Sequence, residues 1–363
     1  MRLLILSAEP LDIARGSGTA MAIAQLRRAL STSGVDAPVI VWNRAAPLLS
    51  LGGARIGTRR LPNLDYDAIL GIDGVGWSAA DALGLPFLAL IKALFLGAAD
   101  HERGLTRGRL RHLARREGEG ARRADAVVVP SQFAADSVRQ GYAVDAGRLC
   151  VIPEPFDAVT WRAQLPQRQR GGNRVLCVAH LYPRKRIIDL VLAWPLVRAS
   201  RPDARLDIVG DGPELRHLAR VTAGLDGCYM HGHVDHPQLA EFYARADSFC
   251  LPSAQETFGY AVVEAMATGL PLAIADAGAL PELCTTAVCE TVPWGAPRAL
   301  ADALLRSLTA ENRTRAANIN PQQVAALAPS SVARQLIELV EQVRDARQRR
   351  ESGSVSRSAA SSR

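Results

Sequence analysis

The chain has 363 residues, 48% of them hydrophobic and 22% charged, with a formal net charge of +7; this is a soluble globular composition with room for two domains. No apolar run reaches the roughly 18–20 residues of a membrane span. Residues 347–363 hold five Arg against one Glu, so the basic balance belongs largely to a tail and calls for no nucleic-acid partner. Only two of the 43 basic residues are lysine, Lys92 and Lys185, which marks both as positions where a compact ammonium is required.

Arg2–Ala8 reads as a first strand. It is too short, and too soon followed by Glu9, for a signal peptide, so the expected location is the cytoplasm. Gly16, Ser17 and Gly18 form the next turn, and Met21–Ser33 has apolar spacing near 3.6, a helix. Strand, glycine turn and helix is a phosphate-cradling layout, and equally a plain tight turn. Ala37–Trp42 and Ala68–Ile72 are further strands. Asp65 and Asp67 have a metal-binding spacing but precede their strand instead of following it, so no metal is expected there. Pro86–Ile91 is a strand ending on Lys92, which either meets a phosphate or an acidic acceptor group or reaches out of an apolar strand end. His101 follows. The helix Leu105–Arg123 is dense in Arg and has three readings: a solvated face, contact with an anionic membrane at its inner face, or a dock for an anionic acceptor. Strand Ala124–Val129, helix Phe133–Gln140 and strand Arg148–Ile152 lead to Pro153-Glu154-Pro155-Phe156-Asp157. A Gln-, Arg- and Gly-rich linker comes next, at about 162–173.

The second half opens on strand Arg174–Ala179 and the basic turn His180-Leu-Tyr-Pro-Arg184-Lys185-Arg186, with a helix from Ile187. Ala204–Val209 enters Gly210-Asp-Gly212-Pro213, and Cys228–Gly232 is a strand and turn. His231, His233 and His236 lack the Cys or carboxylate partners of a zinc site. The six cysteines are scattered, with no Cys-x-x-Cys pair, and read as free thiols. Ala246–Leu251 is a buried strand and Phe258–Thr268 a helix closed by Gly269-Leu-Pro271. Glu256 therefore lies at the carboxyl end of a strand facing a helix start, where open α/β sheets bind ligands. Free N–H groups near Phe258, Gly259 and Tyr260 suit an anionic or hydroxyl-rich ligand. Glu264 sits eight residues on, a rise of about 12 Å, close to the length of a nucleoside diphosphate sugar. Taken alone, the two acids also fit a helix-start carboxylate and a core Glu paired with an Arg. Ser330–Arg347 is a last amphipathic helix, and the Ser- and Arg-rich tail 347–363 reads as disordered.

The word Glu256-Thr-Phe-Gly-x4-Glu264-Ala-Met-Ala-x-Gly-x-Pro271 resembles the Glu-x7-Glu signature of the family 4 (group 1) retaining glycosyltransferases. The likeness covers almost all of 1–346 and is strongest from Arg174 to Glu282. It implies the GT-B fold: α/β, two doubly wound Rossmann-like domains facing each other across a cleft. Residues 1–161 form the acceptor side and 174–329 the nucleotide-sugar side, while 330–346 cross back to the first domain. It implies transfer of a hexosyl group from a nucleotide diphosphate sugar to an acceptor hydroxyl with retained configuration, without metal or other cofactor. Glu256 then holds sugar hydroxyls and Glu264 the ribose, while Phe258, Gly259 and Tyr260 line the donor. Lys185 and Arg184 neutralise the diphosphate. Gly16, Gly18, Gly210 and Gly232 border the cleft.

Three departures stand out. His180 replaces an expected Arg, and Arg184 or His180 itself is expected to stand in for that guanidinium on the donor side. Lys92 replaces a strand-end histidine, for which His101 is the displaced alternative. Glu154 and Pro155 replace Asn-Gly. These leave open a second class of function, a non-catalytic nucleotide-sugar-binding partner subunit.

Overall fold

The computed structural model describes residues 1–8, 18–41, 55–56, 59–60, 65–167 and 171–361. Two six-stranded sheets organise them, and every pairing in both is parallel. The first contains β1 (Leu3–Ser7), β2 (Val39–Val41), β5 (Ala68–Ile72), β6 (Phe87–Leu90), β7 (Ala126–Val129) and β8 (Leu149–Val151). Its order is β2-β1-β5-β6-β7-β8. Two short strands, β3 (Arg55–Ile56) and β4 (Arg59–Arg60), pair separately. The second sheet contains β9 (Arg174–Val178), β10 (Arg205–Val209), β11 (Cys228–Gly232), β12 (Ser248–Leu251), β13 (Leu272–Ala275) and β14 (Cys289–Val292), in the order β11-β10-β9-β12-β13-β14.

Strands β1, β5, β6 and β7 are buried along their whole length, as are β12 and β13. That burial is why they read as continuous apolar runs and not as alternating ones. Helices cover both faces of each sheet. In the first domain, one face packs Leu4, Leu6 and Ile69 against Ala114, Ala121, Val138 and Tyr142. The other packs Leu3, Ile5, Leu70 and Leu88 against Ile23, Leu26 and Leu30 of the helix Gly18–Thr32.

The chain order reverses between β9 and β12. β9 leads outward to β10, and β12 leads the other way to β13, so a crevice opens at their shared carboxyl edge. The segments following these two strands carry Lys185 and Glu256.

The final helix runs Pro329–Ser361. Its Val332, Ala333, Leu336 and Val340 complete the first domain's core beside Leu3, Ile5, Ile23 and Leu30. The sequence reading placed disorder from Arg347 onward. In the structure the helix continues through it, and Arg347 donates to the Leu85 carbonyl (2.9 Å) and lies 3.7 Å from Asp125. Composition missed this because the docking partner lies some 260 residues away.

Candidate functional site

The basic turn after β9 is a short 3₁₀ helix, Pro183–Lys185, and Arg186 beyond it takes a left-handed conformation (φ 53°). The loop after β12 is sewn to that turn, because the Ala254 amide donates to the Arg184 carbonyl at 2.8 Å. Glu256 is fixed from behind. Its carbonyl accepts from the Ala279 amide (2.9 Å), and Gly278 (φ 61°) packs so tightly that a Cβ there would lie 2.6 Å from the Glu256 backbone. The result is an ion pair: Lys185 Nζ donates to Glu256 Oε1, with the two side chains 13% and 11% exposed. Burial lowers the Lys185 pKa, and Glu256 opposes the shift.

The helix Tyr260–Thr268 starts at Gly259, which has φ 103°. Glu264, about one turn in, is buried, and the Tyr243 hydroxyl donates to its Oε2 at 2.7 Å. Tyr243 is thus one partner of this buried acid. Burial, with the Glu264 charge behind it, pushes the Tyr243 pKa well up, so Tyr243 stays a proton donor. Phe258 is buried in the core and packs edge-on against Tyr260. Gly18 faces Tyr260, with a notional Cβ 3.8 Å from its ring. Gly16 lies outside the described residues. Gly210 (φ 140°) lets β10's end touch β9's end, since a Cβ would fall 1.8 Å from the Ala179 carbonyl oxygen. Its amide donates to Gly232 O at 2.8 Å, joining the ends of three neighbouring strands.

Lys92 is not held ready for an anion. Its Nζ lies 2.6 Å from both carboxylate oxygens of Glu154, and the side chains are 11% and 5% exposed. Two departures from the family pattern are thus each other's partner. Sequence reasoning assigned no role to Glu154, because nothing local links positions 62 residues apart. Lys92 is also tied through its backbone: its amide donates to Asp73 Oδ1 (2.7 Å), and its carbonyl accepts from Thr257 Oγ1 (2.7 Å). Tyr260 OH donates to the Pro155 carbonyl (3.2 Å). The first domain's Lys92–Glu154 pair therefore lies against the segment that carries Glu256 and Glu264.

His101 packs edge-on to Trp294 of the second domain, ring centroids 6.3 Å apart. Burial lowers its pKa; Asp100 opposes that, while Arg184 and Arg186 add to it. Arg184 lies over the Tyr182 ring at 4.6 Å, and His180 is exposed beside the same ring. His231 pairs with Asp207 (2.7 Å) and His233 lies 3.4 Å from Asp235. Among the described residues no three His, Cys, Asp or Glu side chains gather as a metal set. Asp67 accepts from the Arg2 amide and pairs with Arg344. All six cysteines are free.

A buried acid behind the site went unnoticed in the sequence. Glu117, within the Arg-rich helix Gly104–Arg123, accepts from Tyr142 OH and from the Phe95 amide (2.9 Å). Burial, helped by Asp73, pushes its pKa up to about 8. The solvent side of that helix exposes Arg109, Arg111, Arg115, Arg116 and, at its start, Leu105.

Comparison with known proteins adds the rest. The family described as "Glycosyl transferases group 1" matches residues 172–310, and "Glycosyltransferase Family 4" matches residues 24–159. A glycogen synthase of Mycobacterium tuberculosis is 30% identical over 164 residues, covering 44% of this chain and 40% of that protein. A D-inositol 3-phosphate glycosyltransferase of Segniliparus rotundus is 30% identical over 231 residues, covering 57% and 49%. The chain thus spans less than half the length of these relatives. Among solved structures, Anabaena HepE in complex with UDP and glucose superposes with a TM-score of 0.71 at 19% identity, covering 94% of this chain and 99% of that one. Sucrose-phosphate synthase from Thermosynechococcus elongatus gives 0.71 at 22%, covering 95% and 99%. These likenesses identify the two-sheet architecture as GT-B. With family matches in both halves and this fold, the chain belongs to the family 4, group 1 glycosyltransferases.

Proposed function

We propose that this chain is a retaining transferase that moves a hexosyl group from a nucleotide diphosphate sugar to an acceptor hydroxyl, without a metal. The observation that carries the reading is the Lys185–Glu256 pair at the strand-order reversal, with Glu264 on the helix Tyr260–Thr268 that follows the Glu256 loop. The two charges neutralise one another. An entering diphosphate competes for the Lys185 ammonium, and Glu256 is released to accept from hydroxyls of the sugar. Glu264, oriented by Tyr243, meets the ribose. As the bond to the departing phosphate breaks, Lys185 and the nearby backbone N–H groups stabilise the growing negative charge. The phosphate, not Glu256, takes the acceptor proton, which is the front-face route expected of retention without a covalent sugar intermediate.

Lys92 plays a different part from the phosphate contact expected of a free lysine. With Glu154 it forms a neutral unit, which favours hydroxyl groups over an anion. The exposed arginines of Gly104–Arg123 favour peripheral docking on an anionic membrane. Co-sedimentation with phosphatidylglycerol but not phosphatidylcholine vesicles is the expected outcome, and equal partition to both would overturn the docking. No helix among the described residues is long and apolar enough to cross a membrane.

The central test is incubation of the full chain with UDP-glucose or GDP-mannose in the presence of EDTA. Slow release of UDP or GDP is expected. If every nucleotide sugar binds but stays intact with a range of sugar and polyol acceptors, the partner-subunit reading replaces this one.

A further inference from the structure

The segment around Glu256 is one corner of a closed triangle whose other corners belong to different elements. The first side joins it to the short helix Leu280–Leu283, through Ala279 N–H to Glu256 O (2.9 Å) and the tight approach of Gly278. The second side joins that short helix to the first domain. Glu282 lies across the start of helix Gln132–Tyr142, its two oxygens accepting from the Gln132 (2.8 Å) and Phe133 (2.6 Å) amides. The third side closes the figure: Ser131, the buried N-cap of that same helix, donates from Oγ to the Thr257 carbonyl at 2.8 Å. Thr257 in turn donates to Lys92 O. Both polar ends of the residue next to Glu256 are therefore held by the opposite domain.

A carboxylate at a helix start satisfies free N–H groups and meets the positive end of the helix dipole. Here that carboxylate comes from the other domain and adds to the cap made by Ser131, whose Oγ accepts from the Ala134 amide (3.2 Å), so the Gln132 and Phe133 contacts exist only when the domains are closed. If they part, Thr257 loses both partners in the same motion that takes Glu282 from the helix start. Contacts to the opposite domain that are made or broken together give the loop two positions, not a continuum.

We propose that Glu282 and Ser131 are positioning residues that make domain closure and the seating of Glu256 a single event. This rests on the role given to Glu256 above, but its structural half can be tested without it. The experiment compares wild type with Glu282→Ala and Glu282→Gln by small-angle scattering and by calorimetric titration with UDP and with GDP. It also measures UDP-glucose hydrolysis at saturating donor. Glu282→Ala is expected to enlarge the radius of gyration of the ligand-free protein. Turnover should fall about tenfold or more, in keeping with a misplaced reacting group, while affinity for the nucleoside diphosphate holds. Glu282→Gln, which keeps an oxygen acceptor but loses the charge, should fall between the two.

An unchanged radius in Glu282→Ala overturns the latch. So does a nucleotide affinity that drops in step with turnover, because that places Glu282 in the donor pocket instead. If Glu282→Ala does not fold, Ser131→Ala serves for the same comparison. If wild-type protein hydrolyses no nucleotide sugar, the reaction proposed above fails, and the scattering result alone still decides whether the latch exists.

Discussion

The chain's two lysines ended up in the same kind of place by different routes. Each lies beyond the carboxyl end of a strand, each pairs with a glutamate, and each pair is nearly dry. Lys185 engages one oxygen of Glu256, and both residues lie in the segments after β9 and β12, where strand order reverses. Lys92 engages both oxygens of Glu154, across the end of the intervening strand β7. The first pair is a contact that a diphosphate can take over. The second is closed on itself, and opening it would strand a carboxylate at low dielectric. Burial alone does not make a lysine catalytic; what separates the two is whether an incoming ligand offers a better partner.

Lys185→Ala should break this symmetry most. Turnover of the donor should fall about a hundredfold or more, the scale of losing one preorganised transition-state donor, with the fold intact by circular dichroism. Near-normal turnover would put Lys185 outside the reaction.

The Lys92 pair sharpens the contrast through stability. Removing one partner of a buried ion pair costs about 3–5 kcal/mol, whereas removing both together costs far less. Lys92→Met is therefore expected to lower the melting temperature more than the double variant Lys92→Met/Glu154→Met. If the double variant is as unstable as the single, the pair is not the closed unit described here.

How far the sequence revealed all this differs from one partner to the next. Lys185, Glu256 and Glu264 were legible because a long local word carries two of them and a basic strand-to-helix turn the third. Their partners were not. Glu154 and Tyr243 act through space, and Tyr243 sat in an ordinary amphipathic helix with nothing to mark its hydroxyl. Glu282 was visible only as the far edge of the region most like the family, because its contacts lie in the opposite domain. Both sheets were legible, since buried parallel strands appear as apolar runs. Glu117 was hidden by the arginines around it, although the run Glu-Gly-Glu-Gly-Ala from Glu117 was the one place where that helix changed character.

Glu117 supplies the smallest expected effect. Its carboxyl, ordinarily near 4.5, is raised to about 8 in the fold. An unfolded chain thus loses this proton near pH 4.5 while the folded one keeps it. The group's contribution to stability is whole below about pH 4.5, declines as pH rises, and is spent above about pH 8. Glu117→Gln should flatten this decline, narrowing the drop in melting temperature between pH 5 and 8 by roughly several degrees. Parallel pH curves for the two proteins would mean that Glu117 ionises normally.

The returning helix has a consequence for how the halves can be separated. Val332, Ala333, Leu336 and Val340 fill a trough in the first domain's core, and the Phe156 amide clips to the Leu327 carbonyl where the outgoing and homeward segments pass (2.8 Å). A fragment stopped at Trp161 would leave that trough open to water, exposing Leu3, Ile5 and Leu30. The two lobes are consequently not interchangeable cassettes: the amino-terminal lobe cannot finish its interior until the far end of the polypeptide has been made.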